Sequence, residues 1–408
     1  MRRTFLILQG PATPFFARLA DRLVREGHQV FKLNFNAGDW LYGSGPHVLN
    51  YSGKVSDLPD FLDGLYRRLD ITDQVLFGDR RPVHRPAVEH AEIRGVRTHV
   101  YEEGYFRPYW VTLERRGLNG HSLLPRDPDW FREVGGRLPD PLQPVRLPAP
   151  FYTRAIHDVL YHLAGLTNPV FFQSYRTHAP LSTAVEYAGY VKRLPMVRLW
   201  HARRDADQIT ALRNSGKPFY LLPLQLNSDA QIRDHSLFAD MRTMIEHVME
   251  SFVRYADTDV CLVIKNHPLS PGLAHHARTI AKAATRLGMA GRVLYLESGD
   301  LELLLRHARG CVTVNSTAGI VALSLGCPTT TLSDPIYNLP GLTFQRGLND
   351  FWREGEKPDA ELFCRFRRVV MRATQIEGGF YCRTGIALAV ENSLPFLTSE
   401  PSSLETLL

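Results

Sequence analysis

The sequence predicts an α/β protein made of two doubly wound domains, each built on a parallel sheet. Short apolar runs of strand length alternate along the chain with segments whose apolar residues recur at helical spacing. Strands that alternate with helices require a parallel sheet covered on both faces. The 408 residues also exceed the size of one ordinary domain. Two domains, each with its own core, therefore fit both the pattern and the length.

The first domain, predicted over residues 1–205, opens with a strand, a helix and a second strand. Thr4–Leu8 is a continuous apolar run, Phe15 begins a helical pattern, and Gln29–Leu33 returns as a strand. A stretch from 117 to 150 is rich in Pro, Gly and Arg and predicts a long irregular loop before helical patterns resume. Further strands are expected near 74–77 and 96–101, with helices near 58–69, 86–93 and between 151 and 209.

The second domain is predicted over residues 206–345 and repeats the same alternation. It opens with the apolar run Phe219–Leu224, and its clearest element is a helix between 237 and 253 whose apolar residues share one face. Residues 346–408 predict C-terminal helices that pack back across the domains and end in a frayed tail. The remaining strands are expected near 260–264, 292–296, 311–314 and 328–332, with helices near 273–287, 301–308 and 318–325.

Composition excludes several classes of protein. Hydrophobic residues make up 44% and charged residues 22% of the chain, as in globular and not disordered proteins. No apolar run approaches the roughly 20 residues that span a bilayer, and the N-terminus does not resemble a signal peptide, so a cytoplasmic protein is expected. The five cysteines form no C-x-x-C pair. The net charge of +6 favours anionic partners, but no nucleic-acid-binding motif accompanies it.

Polar residues follow three predicted strands of the second domain. Ligands of parallel sheets bind beyond the carboxyl ends of the strands, where loops lead into helix N-termini. A lysine, an imidazole, hydroxyls and a helix N-terminus would together suit a phosphate diester. Each loop alone is more typical of a strand-terminating turn, but their coincidence favours a binding site. The residues are Gln225 and Asp229, then Lys265 and His267, then Asn315, Ser316 and Thr317.

Two adjacent carboxylates end a strand of the first domain. Glu102 and Glu103 are followed by Gly104, which turns the chain. Mutual repulsion would raise one of the two pKa values, as a general acid or base requires. The alternative is a solvated turn paired with Arg107.

Two further loops of the first domain carry candidate residues. Asp79 follows a strand and is flanked by arginines, where a helix cap with salt bridges is the favoured interpretation over a catalytic acid. Asp39 and Trp40 lie in a loop that contains a glycine, and they would either line the acceptor or fold onto the core.

The ordered series of motifs resembles the capsule polysaccharide biosynthesis proteins of the KpsS/LipB type. The series covers most of residues 1–345, and its order is more specific than any single motif. The Glu-Glu-Gly and His-Pro motifs are also similar to those of bacterial sialyltransferases, which use CMP-sugars. The motifs are Phe5–Pro11, Asn34–Trp40, Phe77–Asp79, Glu102–Gly104, Pro223–Gln225, Lys265–Pro268 and Asn315–Thr317.

The resemblance implies a glycosyltransferase of the GT-B architecture, with two Rossmann-like domains whose parallel sheets face a central cleft. It implies CMP-Kdo as the donor substrate and a lyso-phosphatidylglycerol at the inner membrane as the acceptor. Other capsule biosynthesis and export proteins are implied as partners, and the location becomes cytoplasmic and peripheral on that membrane. No cofactor is implied, and no metal ion is needed, since a histidine and a helix dipole can stabilise the single phosphate of CMP.

The resemblance also assigns roles to residues. His267 and Lys265 would contact the CMP phosphate, and Ser316 and Thr317 the phosphate or the sugar carboxylate. Glu103 or Glu102 becomes the leading acid or base. A β-linked product from CMP-β-Kdo retains configuration, so a carboxylate nucleophile is expected.

Several alternatives stay open at this stage. The nucleophile is Asp229, Glu102 or Glu103. Larger relatives in the family that the chain resembles carry an additional Asp next to the Gln, where this chain has Leu224, so the resemblance does not assign the nucleophile directly. A nucleotide-sugar epimerase and a non-catalytic capsule assembly or export component are competing functions. A helix near 361–372 carries an arginine stripe beside apolar residues, which is either a membrane-facing surface or, as the favoured interpretation, a core helix with a solvated basic face.

Overall fold

The computed structural model of the chain describes residues 2–43, 47–148, 151–176, 183–226 and 238–408. Its described part contains two mainly parallel sheets flanked by helices, which confirms the α/β class. The strands are β1 Thr4–Ile7, β2 Gln29–Asn34, β3 Val48–Asn50, β4 Asp73–Phe77, β5 Arg97–Glu103, β6 Trp110–Arg115, β7 Phe219–Pro223, β8 Cys261–Lys265, β9 Val293–Leu296, β10 Gly310–Thr313, β11 Thr329–Thr331 and β12 Gln375–Glu377.

Helices connect these strands and cover both faces of the sheets. The α-helices are Phe15–Arg25, Ala37–Leu41, Leu58–Arg68, Arg85–Ile93, Pro128–Arg137, Phe151–Gly165, Asn168–Phe171, Thr183–Met196, Ala202–Ser215, Met241–Tyr255, His276–Arg286, Leu301–His307, Thr317–Ser324, Leu348–Glu354, Ala360–Thr374 and Arg383–Thr398. Single helical turns cover Val55–Asp57, Asn119–His121 and Val197–His201.

The chain divides into two compact units. Unit 1 comprises Met1–Pro125, Arg137–His178 and Arg367–Leu408, and unit 2 comprises Arg126–Gly136 and Ala179–Phe366. The division differs from the predicted boundaries, because residues 126–136, 179–205 and 346–366 belong to unit 2. The predicted C-terminal segment is therefore shared between the units.

The sheet of unit 1 has seven strands in the order β12-β6-β5-β4-β1-β2-β3. Strands β1 to β5 pair in parallel, whereas β6 and β12 add an antiparallel edge. The chain winds from β1 through β2 to β3 and then returns to the other side of β1 to form β4. A crevice at the carboxyl ends of β1 and β4 is the expected ligand position in such a sheet.

The sheet of unit 2 has five parallel strands in the order β11-β10-β7-β8-β9. Its chain winds from β7 through β8 to β9 and then crosses to the other side of β7 to form β10. The reversal between β7 and β10 is the second expected ligand position.

Apolar spacing in the sequence accounts for the packing of unit 1. Phe15, Leu19 and Leu23 recur at helical spacing, and all three are fully buried against one face of the sheet. The C-terminal helix Arg383–Thr398 packs on that same face through Ile386 and Ala389. Burial of each large apolar side chain stabilises the fold by about 1.5–3 kcal/mol.

Two expectations about irregular segments are wrong. The stretch 117–150 contains the helix Pro128–Arg137, because Phe131 and Val134 are buried and anchor it. The tail after residue 398 is held by ion pairs instead of being frayed: Glu400 pairs with Arg3 and Arg97, and Glu405 pairs with Arg115. The helix has only Trp130, Phe131 and Val134 as its large apolar residues and the tail is held by charges, so neither feature has the extended apolar periodicity that marks an element in the sequence.

The arginine-rich helix that the sequence predicts near 361–372 is a core helix, which confirms the favoured interpretation. Ala360–Thr374 buries Phe363, Phe366 and Val370. Within the described ranges, no helix is both long and apolar enough to cross a membrane.

A buried carboxylate ties together the amino ends of three strands in unit 1. Asp73 is fully buried and accepts hydrogen bonds from His99 at 2.8 Å and Arg3 at 3.3 Å, while Arg97 lies 3.0 Å away. Burial opposes its ionisation, but the hydrogen bonds of His99 and Thr72 and the charge of Arg97 outweigh it and lower the pKa of Asp73 to about 2. The ionised carboxylate therefore stabilises the folded state.

Replacement of Asp73 by asparagine should lower the free energy of unfolding at pH 7 by about 2 kcal/mol, since each pKa unit is worth about 1.4 kcal/mol. A depressed folded-state pKa contributes stability above the ordinary value of about 3.9, and that stability is lost as the pH falls towards 2. Urea unfolding at pH 7 and pH 3 should show a smaller difference at pH 3. Asp60→Asn, at an exposed helix position, is the control. An equal difference at both pH values would contradict the assignment.

Candidate active site

The reversal in the sheet of unit 2 brings Gln225 and Asn315 together. Gln225 follows β7, Asn315 follows β10, and both side chains are 5% exposed. Gln225 Nε2 donates to Asn315 Oδ1 at 2.9 Å, and Asn315 N–H donates to Gln225 Oε1 at 3.4 Å. The pair fixes the two strand ends relative to each other and forms the floor of the crevice.

Lys265 is a buried cation at the end of the neighbouring strand β8. Its Nζ lies 3.4 Å from the Asn266 carbonyl, and the residue is only 5% exposed. No carboxylate among the described residues lies within ion-pair distance of it. Burial and the charge of Arg193 lower the pKa of Lys265. An anionic ligand would supply the opposite charge that the fold does not provide at contact distance.

His267 has its hydrogen-bonding roles fixed by the loop after β8. The Leu269 N–H donates to His267 Nδ1 at 3.1 Å, and the His267 N–H donates to Asn266 Oδ1 at 2.8 Å. Because Nδ1 accepts, the proton of the neutral ring lies on Nε2, which becomes a donor. A half-buried imidazole with an Nε2–H donor can hydrogen-bond to a phosphate oxygen.

A buried ion pair holds this histidine loop in place. Arg193 donates to the carbonyls of Pro268 at 3.1 Å and Ser270 at 2.7 Å, and to Glu297 Oε2 at 3.0 Å. Glu297 also accepts from Asn266 Nδ2 at 2.8 Å. Burial opposes ionisation of Glu297, but these hydrogen bonds outweigh it and lower its pKa. The loop geometry therefore depends on residues distant in sequence.

The helix that carries Arg193 lies close to the same loop. Tyr190 donates to the Leu269 carbonyl at 3.0 Å. A Cβ atom at Gly189 would come within 2.7 Å of the Pro271 carbonyl, so only glycine permits this approach. One helical face thus supplies a close contact, a hydroxyl and a guanidinium to the loop.

Ser316 and Thr317 lie at the start of the helix Thr317–Ser324. Ser316 is the N-cap, and its Oγ accepts from the Ala318 N–H at 3.2 Å while keeping its own proton for donation. Both residues are half-buried at the positive end of the helix. Gly319 is required by the phenol of Tyr337, whose oxygen would lie 2.4 Å from an added Cβ.

In unit 1, the reversal between β1 and β4 is occupied by a hydrogen-bond chain. Arg81 donates to Gln9 Oε1 at 3.2 Å, and Gln9 Nε2 donates to Asp39 Oδ2 at 3.0 Å. Tyr161 donates to Asp39 Oδ1 at 2.8 Å and closes the chain. Burial raises the pKa of Asp39, although Lys32 and these donors counteract it.

Asp39 and Trp40 have different environments, although both were predicted to bind the acceptor. Asp39 is 3% exposed, and both of its carboxylate oxygens accept hydrogen bonds from the protein. Asp39 therefore holds its own segment, Ala37–Leu41, in place through the hydrogen bonds that its carboxylate accepts. Trp40 is 45% exposed and packs edge-on against Phe171, with ring centroids 5.4 Å apart. Of the two, only Trp40 presents its side chain outward.

Glu102 and Glu103 belong to β5, where consecutive side chains project to opposite faces of the sheet. The expectation that the two carboxylates lie together and repel each other is wrong for that reason. Glu103 accepts from Tyr381 at 3.0 Å and lies 3.5 Å from Arg154. Glu102 lies instead beside Gly78, where an added Cβ would be 3.4 Å from its Oε2. Glu102 is thus the carboxylate nearer the carboxyl end of β4.

The structure also decides between the alternative interpretations of Arg107 and Asp79. Arg107 donates to the Gly104 carbonyl at 3.2 Å and stabilises the turn through the backbone. Asp79 is 4% exposed, with Arg80 at 3.7 Å and His121 at 3.8 Å from its Oδ2. It does not cap the following helix, whose N-cap is His84, so the cap interpretation is wrong and the salt-bridge interpretation is confirmed.

Asp229 lies outside the described residues, so its predicted role stays a prediction. No group of three or more His, Cys, Asp or Glu side chains in the described part of the chain is arranged to hold a metal ion.

Sequence patterns missed the residues that support these loops. Gln9 lies two residues after β1 at the reversal, and this position could have identified it. Arg193, Glu297 and Tyr161 lie far in sequence from the residues that they hold, and no local pattern marks them.

Replacement of Arg193 by glutamine should destabilise the protein by about 3 kcal/mol, because it removes the charged partner of Glu297 and the guanidinium donors to two loop carbonyls. Thermal unfolding measures this loss. Lys192→Gln, at an exposed position of the same helix, should change stability by less than about 0.5 kcal/mol. Equal effects of the two substitutions would show that the Arg193 contacts contribute little.

Comparisons with known proteins identify the family of the sequence. The family model described as capsule polysaccharide biosynthesis protein matches residues 72–381, which include strands β4 to β12. The capsule polysaccharide export protein KpsS of Escherichia coli is 35% identical over 381 residues, 93% of this chain and 97% of that protein. The capsule polysaccharide modification protein LipB of Neisseria meningitidis serogroup B is 35% identical over 387 residues, 92% of this chain and 91% of that protein.

Among solved structures, the beta Kdo 2,7 transferase KpsC of Thermosulfurimonas dismutans aligns with 96% of this chain and 98% of its own, at 14% identity and a TM-score of 0.45. The family match covers well over half of the chain, and the two curated relatives align over nearly all of it. The chain therefore belongs to the capsule polysaccharide biosynthesis protein family.

Proposed function

We propose that the chain is a GT-B glycosyltransferase that transfers β-Kdo from CMP-Kdo to a (lyso)phosphatidylglycerol and so begins the lipid-linked poly-Kdo linker of a capsule. The observation that carries the proposal is the group of loops in unit 2. A buried lysine that no described carboxylate pairs lies two residues before a histidine whose Nδ1 accepts from the Leu269 N–H, so that its Nε2 carries the proton. Membership of the capsule family supplies the biosynthetic context.

The loops of unit 2 would bind the donor through its phosphate. Lys265 would neutralise the phosphate charge, and His267 Nε2–H would donate to a phosphate oxygen. Ser316 and Thr317 would add hydroxyl and amide donors at a helix N-terminus. Gln225 and Asn315 are hydrogen-bonded to each other in the protein without ligand. They would either keep this bond and support the crevice beneath the nucleotide, or exchange it for a hydrogen bond to the donor.

The reaction breaks the bond between C2 of Kdo and the phosphate oxygen, and CMP leaves with the electron pair. Stabilisation of that departing charge is the task of Lys265 and His267. Retention of configuration requires two displacements, first by a carboxylate and then by the acceptor hydroxyl, whose proton passes to a base. Asp229, Glu102 and Glu103 remain the candidates for these carboxylate roles. Within unit 1 the geometry favours Glu102, since its carboxylate lies beside Gly78 at the carboxyl end of β4.

The acceptor and the location follow from the same proposal. A phospholipid acceptor requires the enzyme to work at the cytoplasmic face of the inner membrane, as a peripheral protein beside other capsule biosynthesis and export proteins. Trp40 is the exposed residue of the two that we assign to the acceptor.

Incubation of the purified chain with CMP-Kdo and a fluorescent lyso-phosphatidylglycerol tests the function. The expected product has the mass of the acceptor plus one Kdo. Absence of this product with intact donor present would overturn the proposal. Isomerisation of a nucleotide sugar without transfer would point to an epimerase instead.

Replacement of His267 by alanine should lower the transfer rate at least ~100-fold, as is typical when one donor to a developing negative charge is removed. Circular dichroism should show a retained fold, because the residue ends a strand in a half-buried loop. His307→Ala, at an exposed position of unit 2, should transfer at the wild-type rate. Unfolding of the His267 variant would instead identify a structural histidine.

Replacement of Glu102 by glutamine should lower the transfer rate at least ~100-fold if this carboxylate is the acid, base or nucleophile. Glu103→Gln preserves the shape of a side chain held by Tyr381 and is the matched control, with a smaller expected effect. Single-turnover rates at saturating donor would distinguish the two variants. The reverse order would assign the role to Glu103, and two near-normal rates would move it to Asp229 or Asp79.

A further inference from the structure

The helix Phe151–Gly165 of unit 1 directs its polar side towards the protein. Arg154, His157 and Tyr161 recur at spacings of three and four, so they share one face. The Arg154 guanidinium lies 3.5 Å from Glu103, His157 Nδ1 lies 2.8 Å from the Tyr42 hydroxyl, and Tyr161 donates to Asp39. The contacts that hold this helix on unit 1 therefore include several polar ones.

The opposite side of the helix is apolar and faces solvent. No residue of the helix is buried, whereas an ordinary surface helix buries its apolar face. The apolar residues recur at the spacings of one helical face and continue into the helix Asn168–Phe171. The exposed members are Tyr152 (74%), Ile156 (59%), Val159 (40%), Leu160 (45%), Leu163 (55%), Leu166 (74%) and Val170 (67%).

This apolar side continues onto the short helix Ala37–Leu41, which carries Trp40. Trp40 and Leu41 are 45% and 50% exposed, and Phe171 packs edge-on against the Trp40 ring. We call the apolar side of the two helices, with Trp40 and Leu41, the outward apolar surface. Contiguous exposed apolar surface of this kind marks an interaction site.

Positive charges flank the outward apolar surface along the chain. Arg146 and Arg176 are exposed on either side of the two helices, and Asp158 is the one carboxylate of the stretch 142–176, whereas Arg154 pairs with Glu103 on the inward side. The positive charge of Arg18 also acts on His157 and lowers the pKa of its imidazole, after the larger effect of burial. An occupant that is apolar inside and negatively charged at its surface fits this combination.

We propose that the outward apolar surface binds an anionic phospholipid membrane, with the helix Phe151–Gly165 lying in the plane of the interface. Aliphatic and aromatic side chains would enter the acyl boundary, and the flanking arginines would meet lipid phosphates. A helix of 15 residues is about 22 Å long, too short for a hydrocarbon core of about 30 Å. The helix therefore lies on the bilayer.

A second copy of the chain fits this surface less well. A two-fold contact would place the same apolar surface and its flanking arginines against themselves and bring like charges together. The membrane proposal rests on the proposed function for its purpose, since a lipid acceptor must be reached at the bilayer. Its test needs neither donor nor acceptor, so the two proposals can fail separately.

Sedimentation of the full chain with vesicles tests the surface. The chain should bind vesicles of phosphatidylglycerol and phosphatidylcholine, and bind pure phosphatidylcholine more weakly, with the difference reduced by salt. The double substitution Ile156→Glu and Leu163→Glu should weaken binding at least ~10-fold, because each replaces an inserted aliphatic group with a charge. Both positions are more than half exposed, so circular dichroism and the melting temperature should not change.

Two controls separate the membrane from other occupants. Ile93→Glu introduces the same charge at a 75% exposed position of another helix of unit 1 and should leave vesicle binding within about twofold. Ile156→Gln with Leu163→Gln removes apolar surface without adding charge and should also weaken binding. Unchanged vesicle binding by the double glutamate variant would overturn the proposal. A wild-type dimer in the absence of lipid that this variant dissociates would assign the surface to a second copy instead.

Discussion

The single reversal of winding in each parallel sheet is the constraint on which the candidate site depends. Helices that leave β1 and β4 in unit 1, and β7 and β10 in unit 2, go to opposite faces of their sheet, so a crevice opens at the carboxyl ends of those strands. The side chains that follow these strands must be polar to bind a ligand. Because they are also partly buried, their polar groups must form hydrogen bonds within the protein. Gln9 and Gln225 occupy equivalent places after the first strand of each sheet. Each forms a hydrogen bond across the reversal, Gln9 with Arg81 and Gln225 with Asn315.

The two crevices satisfy their buried polar groups differently. In unit 1, Asp39 accepts from Gln9, Tyr161 and the Phe35 backbone, so the charge is met entirely by the protein. In unit 2, Lys265 is as deeply buried, but no described carboxylate contacts it, and the pKa of its ammonium is lowered. A buried charge that lacks a partner costs stability unless a ligand supplies one. This difference is the physical reason for assigning the anionic donor to unit 2.

The histidine loop and the outward helix show how distant segments decide a site. Arg193, on a helix that belongs to unit 2, fixes the carbonyls of Pro268 and Ser270 and thereby the direction of the His267 ring. Tyr161 does the same for Asp39 from a helix whose other side is apolar and exposed. The usual stability arrangement, with apolar residues inside and polar residues outside, is reversed in that helix. Such a reversal is expected where both sides of a helix have a binding partner. For the outward side we propose that this partner is a membrane.

The sequence by itself determined the alternation of strands and helices, the carboxyl-end loops and the family. Those features depend on local apolar periodicity and on residues that directly follow a strand, so they can be read along the chain. Only the tertiary structure decided that Glu102 and Glu103 face opposite sides of the sheet, that Asp39 is enclosed while Trp40 is exposed, and that the tail after residue 398 is held by Arg3, Arg97 and Arg115. These outcomes depend on which segments pack together, and a helical or strand period specifies a face without specifying what lies against it.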